Sequence, residues 1–438
     1  MSGGGTAGDG GRPPPAGDER PSFRSVFAVR EFRPLFGTYT LSTVGDELAR
    51  VALTVLVYQR TDSPLLSAIT FALSFLPWAV GGPVLATLAD RLPRHRVLIA
   101  SDVARAVLVA LMAVPGTPLV VLLALLLAVS LCAPPFESAR SALMADVLEG
   151  ERYAVATSLT NVSLQLAQVI GFVAAGALVT AFHPSAVLLL DAATFAVSAV
   201  WLSLALERRP APAEPSEEPS SVWQEAGEGL RLIGRSPRLV AIIALLWTGT
   251  LFANAAEGIA APLTDDLGGG ATELGVLLAA NPLGVTIGGL VVARLLGTAR
   301  SERLMPVLVA LSLAPVLLAG LVAVAAGPGR GAYTLVVALL FVAGLGASWS
   351  IPLNVSFVQA VPAAYRGRAF GVAVSGLYGV QGLGALGAGL AAERVPPGAV
   401  VAVAGGLGLF AVVPPLLGFA RTRPAVASER PAAGPSVS

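Results

Sequence analysis

The sequence predicts an all-α membrane protein with about twelve transmembrane helices in two pseudo-symmetric six-helix bundles. The prediction rests on long stretches without charge, a hydrophilic interruption near the middle and a repeat between the halves. Each uncharged stretch can cross a hydrocarbon core of about 30 Å, which takes about 20 residues as a helix. In lipid the backbone groups must pair internally, so the spans are predicted as helices. The stretches without Asp, Glu or Arg are residues 65–89, 274–293, 304–329, 331–365, 369–392 and 395–420.

Composition limits the function. The chain has 438 residues, of which 55% are hydrophobic and 13% charged, whereas soluble domains are about a quarter charged. The net charge of +1 gives no indication of nucleic-acid binding. All 28 basic residues are Arg, and a P-loop requires a Lys on the phosphates, so the chain has no Walker-type ATPase of its own. The single Cys132 excludes an internal disulfide.

The predicted elements follow one another with short loops. An N-terminal tail (1–24) is expected to be disordered and cytoplasmic, and it lacks the early apolar core of a signal peptide. An N-terminal bundle (25–206), a cytoplasmic linker (207–237), a C-terminal bundle (238–420) and a second disordered tail (421–438) complete the chain. The predicted spans are 35–59, 65–89, 97–114, 118–137, 153–181, 185–206, 238–262, 272–294, 304–327, 332–358, 369–391 and 398–420.

The distribution of Arg predicts the orientation. Twenty-three of the 28 Arg lie in or beside the tails, the linker and the loops predicted on their side, whereas the opposite loops hold only Arg60, Arg330 and Arg394. The positive-inside rule therefore predicts that both termini and the linker face the cytoplasm. We expect a multi-pass protein of the cell (plasma) membrane.

The two halves show a weak internal repeat. A shift of 203 residues aligns Pro34 with Pro237 and Gly81 with Gly284 at equivalent helix positions, and it aligns Thr61-Asp62 with Thr264-Asp265 in loops. Duplicated bundles that enclose a central site are typical of secondary transporters.

The loop after the second span carries a specific motif. Residues 86–96 read ATLADRLPRHR, and Asp90, Arg91 and Arg94 match the signature Gly-x-x-x-Asp-Arg-x-x-Arg-Arg of the major facilitator superfamily, which the chain resembles. The resemblance implies a gate on the cytoplasmic side, formed by this loop with Asp102 and Arg105 of the third span. An Arg91–Asp102 pair would hold the inside closed, and Arg105 most simply pairs with Asp102. The alternative is a plain positive-inside loop.

Further segments resemble one branch of that superfamily, the drug-efflux group that includes macrolide exporters and the enterobactin exporter. They are VYQRTDSPL, SDVARA and LLLDAATFAVSAVW. Where antiporter members often have Gly-Pro, this chain has Gly171-Phe172. The resemblance also implies a monomer.

Ionisable residues inside spans are functional hypotheses by default, because an unpaired charge in lipid is costly. Asp46 and Arg50 stand at i and i+4 and are predicted to pair. Glu47, rotated by about 100°, would then lack a partner and become the proton carrier; the alternative is a structural Asp46–Arg50 pair with Glu47 against the fifth helix or a lipid headgroup. Glu257 is a second proton-coupling candidate or a solvated residue of the outer rim, and Asp191 is predicted as a packing contact.

Polar residues in the apolar spans predict a central cavity, because they need water or partners there; interhelical hydrogen bonds are the alternative for any one of them. Glu137 and Arg140 are interpreted as interfacial. The cavity candidates are Asn161, Gln165, Gln168, Trp247, Asn254, Asn281, Ser350, Asn354, Gln359, Tyr378 and Gln381.

These observations predict a secondary active transporter that exports small amphipathic molecules by alternating access, driven by protons or another coupling ion. Amides and aromatic rings with few charges suit a neutral or weakly cationic compound. No catalytic constellation, cofactor motif or metal-ligating cluster is present in the sequence, so we expect no enzyme. The alternatives are a metabolite importer or uniporter of the same fold and, from another class, a non-transport membrane receptor or assembly component.

Overall fold

The structure, a computed structural model, describes residues 23–81, 92–148, 150–209, 222–295, 298–362 and 365–422. The N-terminal half contains α1 (Phe23–Phe27), α2 (Phe32–Thr61), α3 (Pro64–Leu73), α4 (Arg94–Met112), α5 (Leu119–Leu131), α6 (Ala133–Val147), α7 (Glu151–Ala181) and α8 (Pro184–Ala205). A π-helical turn, Pro77–Gly81, follows α3. The C-terminal half contains α9 (Val222–Arg235), α10 (Pro237–Ala253), α11 (Ala255–Gly258), α12 (Ala260–Asp266), α13 (Ala271–Leu295), α14 (Thr298–Ala326), α15 (Arg330–Ala347), α16 (Ser350–Ala360), α17 (Arg366–Ala392), α18 (Pro397–Ala411) and α19 (Val413–Arg421).

The predicted all-α membrane fold is confirmed. In the described part of the chain, nine helical segments are long and apolar enough to cross a membrane. The long helices α2 and α4 also lie in the bundle, but each contains more charged residues than the other spans. These charges are largely the candidate site residues. The described part of the second span comprises α3 and its π-helical turn, up to Gly81.

Among the predicted spans that the structure describes in full, four are divided by breaks. The breaks separate α5 from α6, α10 to α12 from one another, α15 from α16, and α18 from α19. After four of these five interruptions a proline stands within the first three residues of the next helix, at Pro134, Pro262, Pro352 and Pro414; α11 has none. Proline has no N–H to continue the helical ladder but is tolerated in a first turn, so these positions bend the spans without ending them.

Part of the predicted linker (207–237) is helical, since α9 occupies residues 222–235. That helix packs against α17, so a helix of the linker is attached to the C-terminal half.

The two halves meet mainly at one end. We call the end at Phe32, Ala205 and Arg421 the linker side, and the end at Thr61 and Asp266 the distal side. Near the distal side and the centre, buried apolar residues of both halves form one common cluster. Toward the linker side each half has its own clusters.

Close helix contacts join the halves at the distal side, where α7 packs on α13 and α3 on α17. A Cβ added to Gly275 would lie 2.3 Å from the Phe172 carbonyl oxygen, and one added to Gly389 would lie 2.4 Å from Ala68 Cβ. Glycine is therefore required at both positions for this approach. Hydrogen bonds between Thr180 and Thr272 (2.8 Å), and between the two halves at Ser63, reinforce the same end.

Candidate functional site

The centre of the candidate site is an ion pair on α2. Arg50 Nη1 lies 3.1 Å from Glu47 Oε2, an ionic contact without hydrogen-bond geometry. Gln168 Nε2 on α7 donates a long hydrogen bond of 3.4 Å to Glu47 Oε1. Glu47 is only 2% exposed, because Gly171 lets α7 approach until a Cβ there would be 2.6 Å from Glu47 Cβ.

The predicted pairing of Asp46 with Arg50 is therefore wrong. Positions i+3 and i+4 are both neighbours on a helix surface, so spacing alone did not distinguish Glu47 from Asp46 as the partner. The choice is made by α7, which encloses Glu47. Asp46 remains partly accessible and interacts electrostatically with Arg50 and with Arg105.

The environment of Arg50 extends into the C-terminal half. Its guanidinium lies 5.8 Å from the ring centroids of both Phe71 and Phe75. Glu257, on the short helix α11, interacts electrostatically with Arg50 and Glu47. Glu257 is partly buried and faces this charge cluster across the interface between the halves. This position disagrees with the alternative interpretation of Glu257 as a solvated residue of the outer rim.

A second charge network lies inside the N-terminal half. Arg105 Nη2 donates to Asp102 Oδ1 at 2.7 Å, as predicted for this pair, and Ser198 also donates to Asp102. The Arg105 guanidinium lies 4.3 Å from the Phe136 ring centroid and 4.5 Å from that of Phe195. Asp102 is completely buried, so its carboxylate is bound within one half, between α4 and α8.

Asp191 connects this network to α2. It is buried and accepts a 3.3 Å hydrogen bond from Thr194. A Cβ on Gly45 would lie 2.3 Å from Asp191 Oδ1, so the glycine makes room for the carboxylate. Asp191 also interacts electrostatically with Asp46 and Arg105. Asp191 is therefore both a packing contact, as predicted, and a member of the charge network.

The gate motif is described only in part. Asp90 and Arg91 lie outside the described residues, so their pairing stays a prediction. Arg94 forms an ion pair with Asp146 and donates to the Ala142 carbonyl oxygen at 3.3 Å, which ties the start of α4 to α6. Because Asp102 is bound by Arg105, the structure does not bring Asp102 and Arg94 together.

The cavity candidate Tyr378 lies where α17 meets the second span, beside Phe75 and Trp78, which were not predicted as site residues. Tyr378 stacks on Phe75 with ring centroids 5.8 Å apart and lies 5.4 Å from the Trp78 ring. Tyr378 also interacts electrostatically with Glu137 and Arg50. The occurrence of aromatic residues in the uncharged stretch 65–89 was the available indication.

Arg140, interpreted together with Glu137 as interfacial, forms an ion pair with Glu137 on α6. It is only 4% exposed, and its guanidinium lies 4.0 Å from the Tyr39 ring centroid. Its Nε donates to Glu137 Oε2 at 3.0 Å. Arg140 is stable inside the bundle because Glu137 neutralises its charge and its guanidinium stacks on an aromatic ring. The spacing i, i+3 allowed the pair with Glu137 but did not require it.

The remaining cavity candidates are dispersed over several surfaces. Of the stripe on α7, Gln168 reaches Glu47, whereas Gln165 is half-buried and Asn161 exposed. Asn254 stands at the end of α10 and Asn281 is half-buried on α13. Trp247 donates to the Ala373 carbonyl oxygen at 3.1 Å, Gln381 Oε1 is buried without a hydrogen-bond partner, and Gln359 is exposed in the last turn of α16.

Ser350 and Asn354 line a cavity of about 220 Å³ in the C-terminal half. The cavity lies between α10, α16 and α17, and its other lining residues are apolar. They are Ile242, Ile243, Leu246, Ile351, Leu353, Phe357, Phe370, Ala373, Val374 and Leu377. Two polar groups in an apolar wall suit a ligand with a large apolar body.

Residues 35–314 match the Major Facilitator Superfamily, so the chain belongs to this family of membrane transporters. It is 27% identical over 387 residues to the uncharacterized MFS-type transporter YfiS of Bacillus subtilis (strain 168), covering 86% of this chain and 89% of that protein.

Solved transporters share the fold. A POT family transporter in complex with 5-aminolevulinic acid superposes with a TM-score of 0.70 at 15% identity, covering 89% of this chain and 96% of that one. The nucleoside transporter NupG superposes with a TM-score of 0.69 at 13% identity, covering 88% and 99%. At these identities the likeness is one of fold.

Proposed function

We propose that the protein is a secondary active transporter that exports small amphipathic molecules by alternating access, driven by proton antiport. It would act in the plasma membrane, with the linker side and both termini in the cytoplasm. The orientation is supported by the Arg distribution under the positive-inside rule. The extent of the two bundles (25–206 and 238–420) and of the tails belongs to the same proposal.

The observation that carries the coupling proposal is a surplus of carboxylates. The connected network of the described residues contains five acids, Asp46, Glu47, Asp102, Asp191 and Glu257, but only two guanidiniums, of Arg50 and Arg105. Uncompensated charge inside a membrane is costly, so a network of this composition favours bound protons. Glu47 and Glu257 face one another from different halves, so a change in their protonation would alter the attraction between the halves through Arg50.

The proposal of amphipathic substrates is supported by the rings and the cavity. Tyr378, Phe75 and Trp78 offer aromatic faces, and Tyr378 interacts electrostatically with Glu137. Such faces attract cations as well as apolar groups. The apolar cavity beside Ser350 and Asn354 adds volume for an apolar body. The proposal of export is supported by the resemblance to the efflux branch.

Everted vesicles from cells with and without the chain test the proposal. A proton gradient is imposed, and accumulation of a panel of lipophilic neutral and cationic compounds is measured. We expect proton-driven accumulation with the parent chain and its loss with Glu47→Gln, while downhill flux continues. Glu151→Gln is the matched control, because Glu151 is an exposed acid at the start of α7.

The outcomes separate the alternatives. Uphill transport that survives when Asp46 and Glu47 are both neutralised would disprove the coupling assignment. Downhill flux of the substrate that does not depend on any ion gradient would indicate a uniporter. Proton-driven uptake into intact cells would indicate an importer. No flux of any compound in either geometry would leave the receptor or assembly class as the better explanation.

A further inference from the structure

The linker helix α9 separates polar and apolar residues on two faces. Glu228, Arg231 and Arg235 follow one another at helical spacing on one face. Leu230 and Ile233 lie on the opposite face. This pattern is that of an amphipathic helix, which can lie along a membrane interface with part of its apolar face toward the acyl chains.

One part of α9 is anchored to the C-terminal half. Ile233 is buried in the apolar cluster of that half. Gly229 sits so close to α17 that an added Cβ would lie 2.7 Å from the Arg368 carbonyl oxygen, and Arg368 Nη1 donates to Glu228 Oε2 at 2.6 Å. These contacts hold α9 against the first turns of α17, at the linker-side end of the bundle.

The other part of α9 is uncovered. Leu230 is 59% exposed although it belongs to the apolar face. Arg231 and Arg235, at i and i+4, are both exposed and form no hydrogen bond or ion pair within the part of the chain that the structure describes. The helix thus presents an apolar side chain beside two free cations at the level where the membrane-spanning α10 begins.

We propose that Leu230, Arg231 and Arg235 form a binding site for an anionic phospholipid, with the phosphate on the two guanidiniums and the acyl chain on Leu230. Arginine binds phosphate oxygens through its planar fork. Basic residues beside a membrane attract anionic lipids with a free energy that corresponds to about fivefold in affinity for each Arg. A soluble phosphate would explain the cations but not the exposed leucine, so we assign the site to a lipid. The site does not depend on the direction or the driving ion of transport.

The purified full-length chain in nanodiscs of phosphatidylcholine, with or without phosphatidylglycerol, tests this site. The readouts are the phosphatidylglycerol molecules retained per protein in native mass spectrometry and the hydrogen exchange of residues 222–235. We expect phosphatidylglycerol to be retained and to slow exchange in α9. Arg231→Gln/Arg235→Gln should weaken retention by about twentyfold to thirtyfold, and Leu230→Ser should weaken it less.

The matched control is Arg303→Gln/Arg421→Gln, which removes two other exposed Arg of the linker side. Equal loss of lipid in both double variants would mean a general charge effect and would overturn the proposal. Unchanged retention in the α9 variant would also overturn it. Arg231→Lys/Arg235→Lys keeps the charge, so restored retention in that variant, with an unchanged melting temperature, excludes misfolding as the cause of a loss.

Discussion

Ser63 and Glu393 connect the two halves at the distal side. Ser63 Oγ donates to Glu393 Oε1 at 2.6 Å, and the Leu65 N–H donates to the same oxygen at 3.0 Å. The carboxylate at the end of α17 thus accepts from the cap and the first turn of α3, where the helix dipole favours negative charge. Opening the distal side requires these hydrogen bonds to break.

The first prediction concerns the pH dependence of this contact. The hydrogen bond from Ser63, together with that from Leu65, holds the pKa of Glu393 below its ordinary range. The stabilisation of the closed distal side is therefore complete above the ordinary pKa of Glu, about 4.3, and is lost as the pH falls through the lowered pKa. We expect acid to increase the open fraction. The effect should be about twofold to fivefold, because the pair is exposed.

Spin labels on Phe182→Cys and Val395→Cys in a Cys132→Ser background report this opening by their separation. Glu393→Gln should increase the open fraction at neutral pH and remove the response to acid. Asp62→Asn, an exposed carboxylate on the same side, is the control and should keep the response. A pH profile that is identical in Glu393→Gln and the parent would contradict the assignment.

A second prediction concerns Gly275, where α13 meets α7. The backbone atoms around Gly275 cannot move like a flexible side chain, and the Phe172 carbonyl oxygen would lie 2.3 Å from an added Cβ. Gly275→Ala should therefore disfavour the closed distal side by about 1–3 kcal/mol. The same pair of spin labels should show a longer separation. Gly387→Ala, on α17 with no atom within 4 Å of its added Cβ, should leave the distribution unchanged.

A third prediction separates a structural role of Asp102 from a gate role. Asp102→Asn leaves Arg105 buried without its anionic partner, which costs about 3–5 kcal/mol for a buried pair. We expect a lower melting temperature in detergent, and partial recovery in Asp102→Asn/Arg105→Gln. A parent-like melting temperature together with altered access to the linker side would instead support a gate role for Asp102.

A fourth prediction concerns the ring of Tyr378. Its stacking on Phe75 and Trp78 is worth about 0.5–1.5 kcal/mol for each ring pair. Tyr378→Ala should lower efflux of aromatic cations several-fold in intact cells, whereas Tyr378→Phe, which keeps the ring, should transport them like the parent. Equal loss in both variants would show that the hydroxyl, and not the aromatic face, determines recognition.

Much of the fold could be predicted from the sequence. Charge-free stretches of about 20 residues determined the spans, because the solvent imposes the same length and the same internal pairing on every crossing helix. The ends of α7 and α8 agree with the predicted ends to within two residues. The pairing of Asp102 with Arg105 was also accessible, because the two residues are one turn apart on one helix.

Tertiary structure alone decided which charges belong together. On α2 the spacing allowed Arg50 to pair with Asp46. The close approach of α7 at Gly171 buries Glu47, and it is Glu47 that forms the ion pair with Arg50. Glu257 is 207 residues beyond Arg50 along the chain, and no periodicity relates them. Local sequence patterns determine which stretches form membrane-spanning helices, because lipid surrounds each span and imposes the same requirements on it separately. Contacts between spans depend on how closely the backbones approach, which single small residues set in three dimensions.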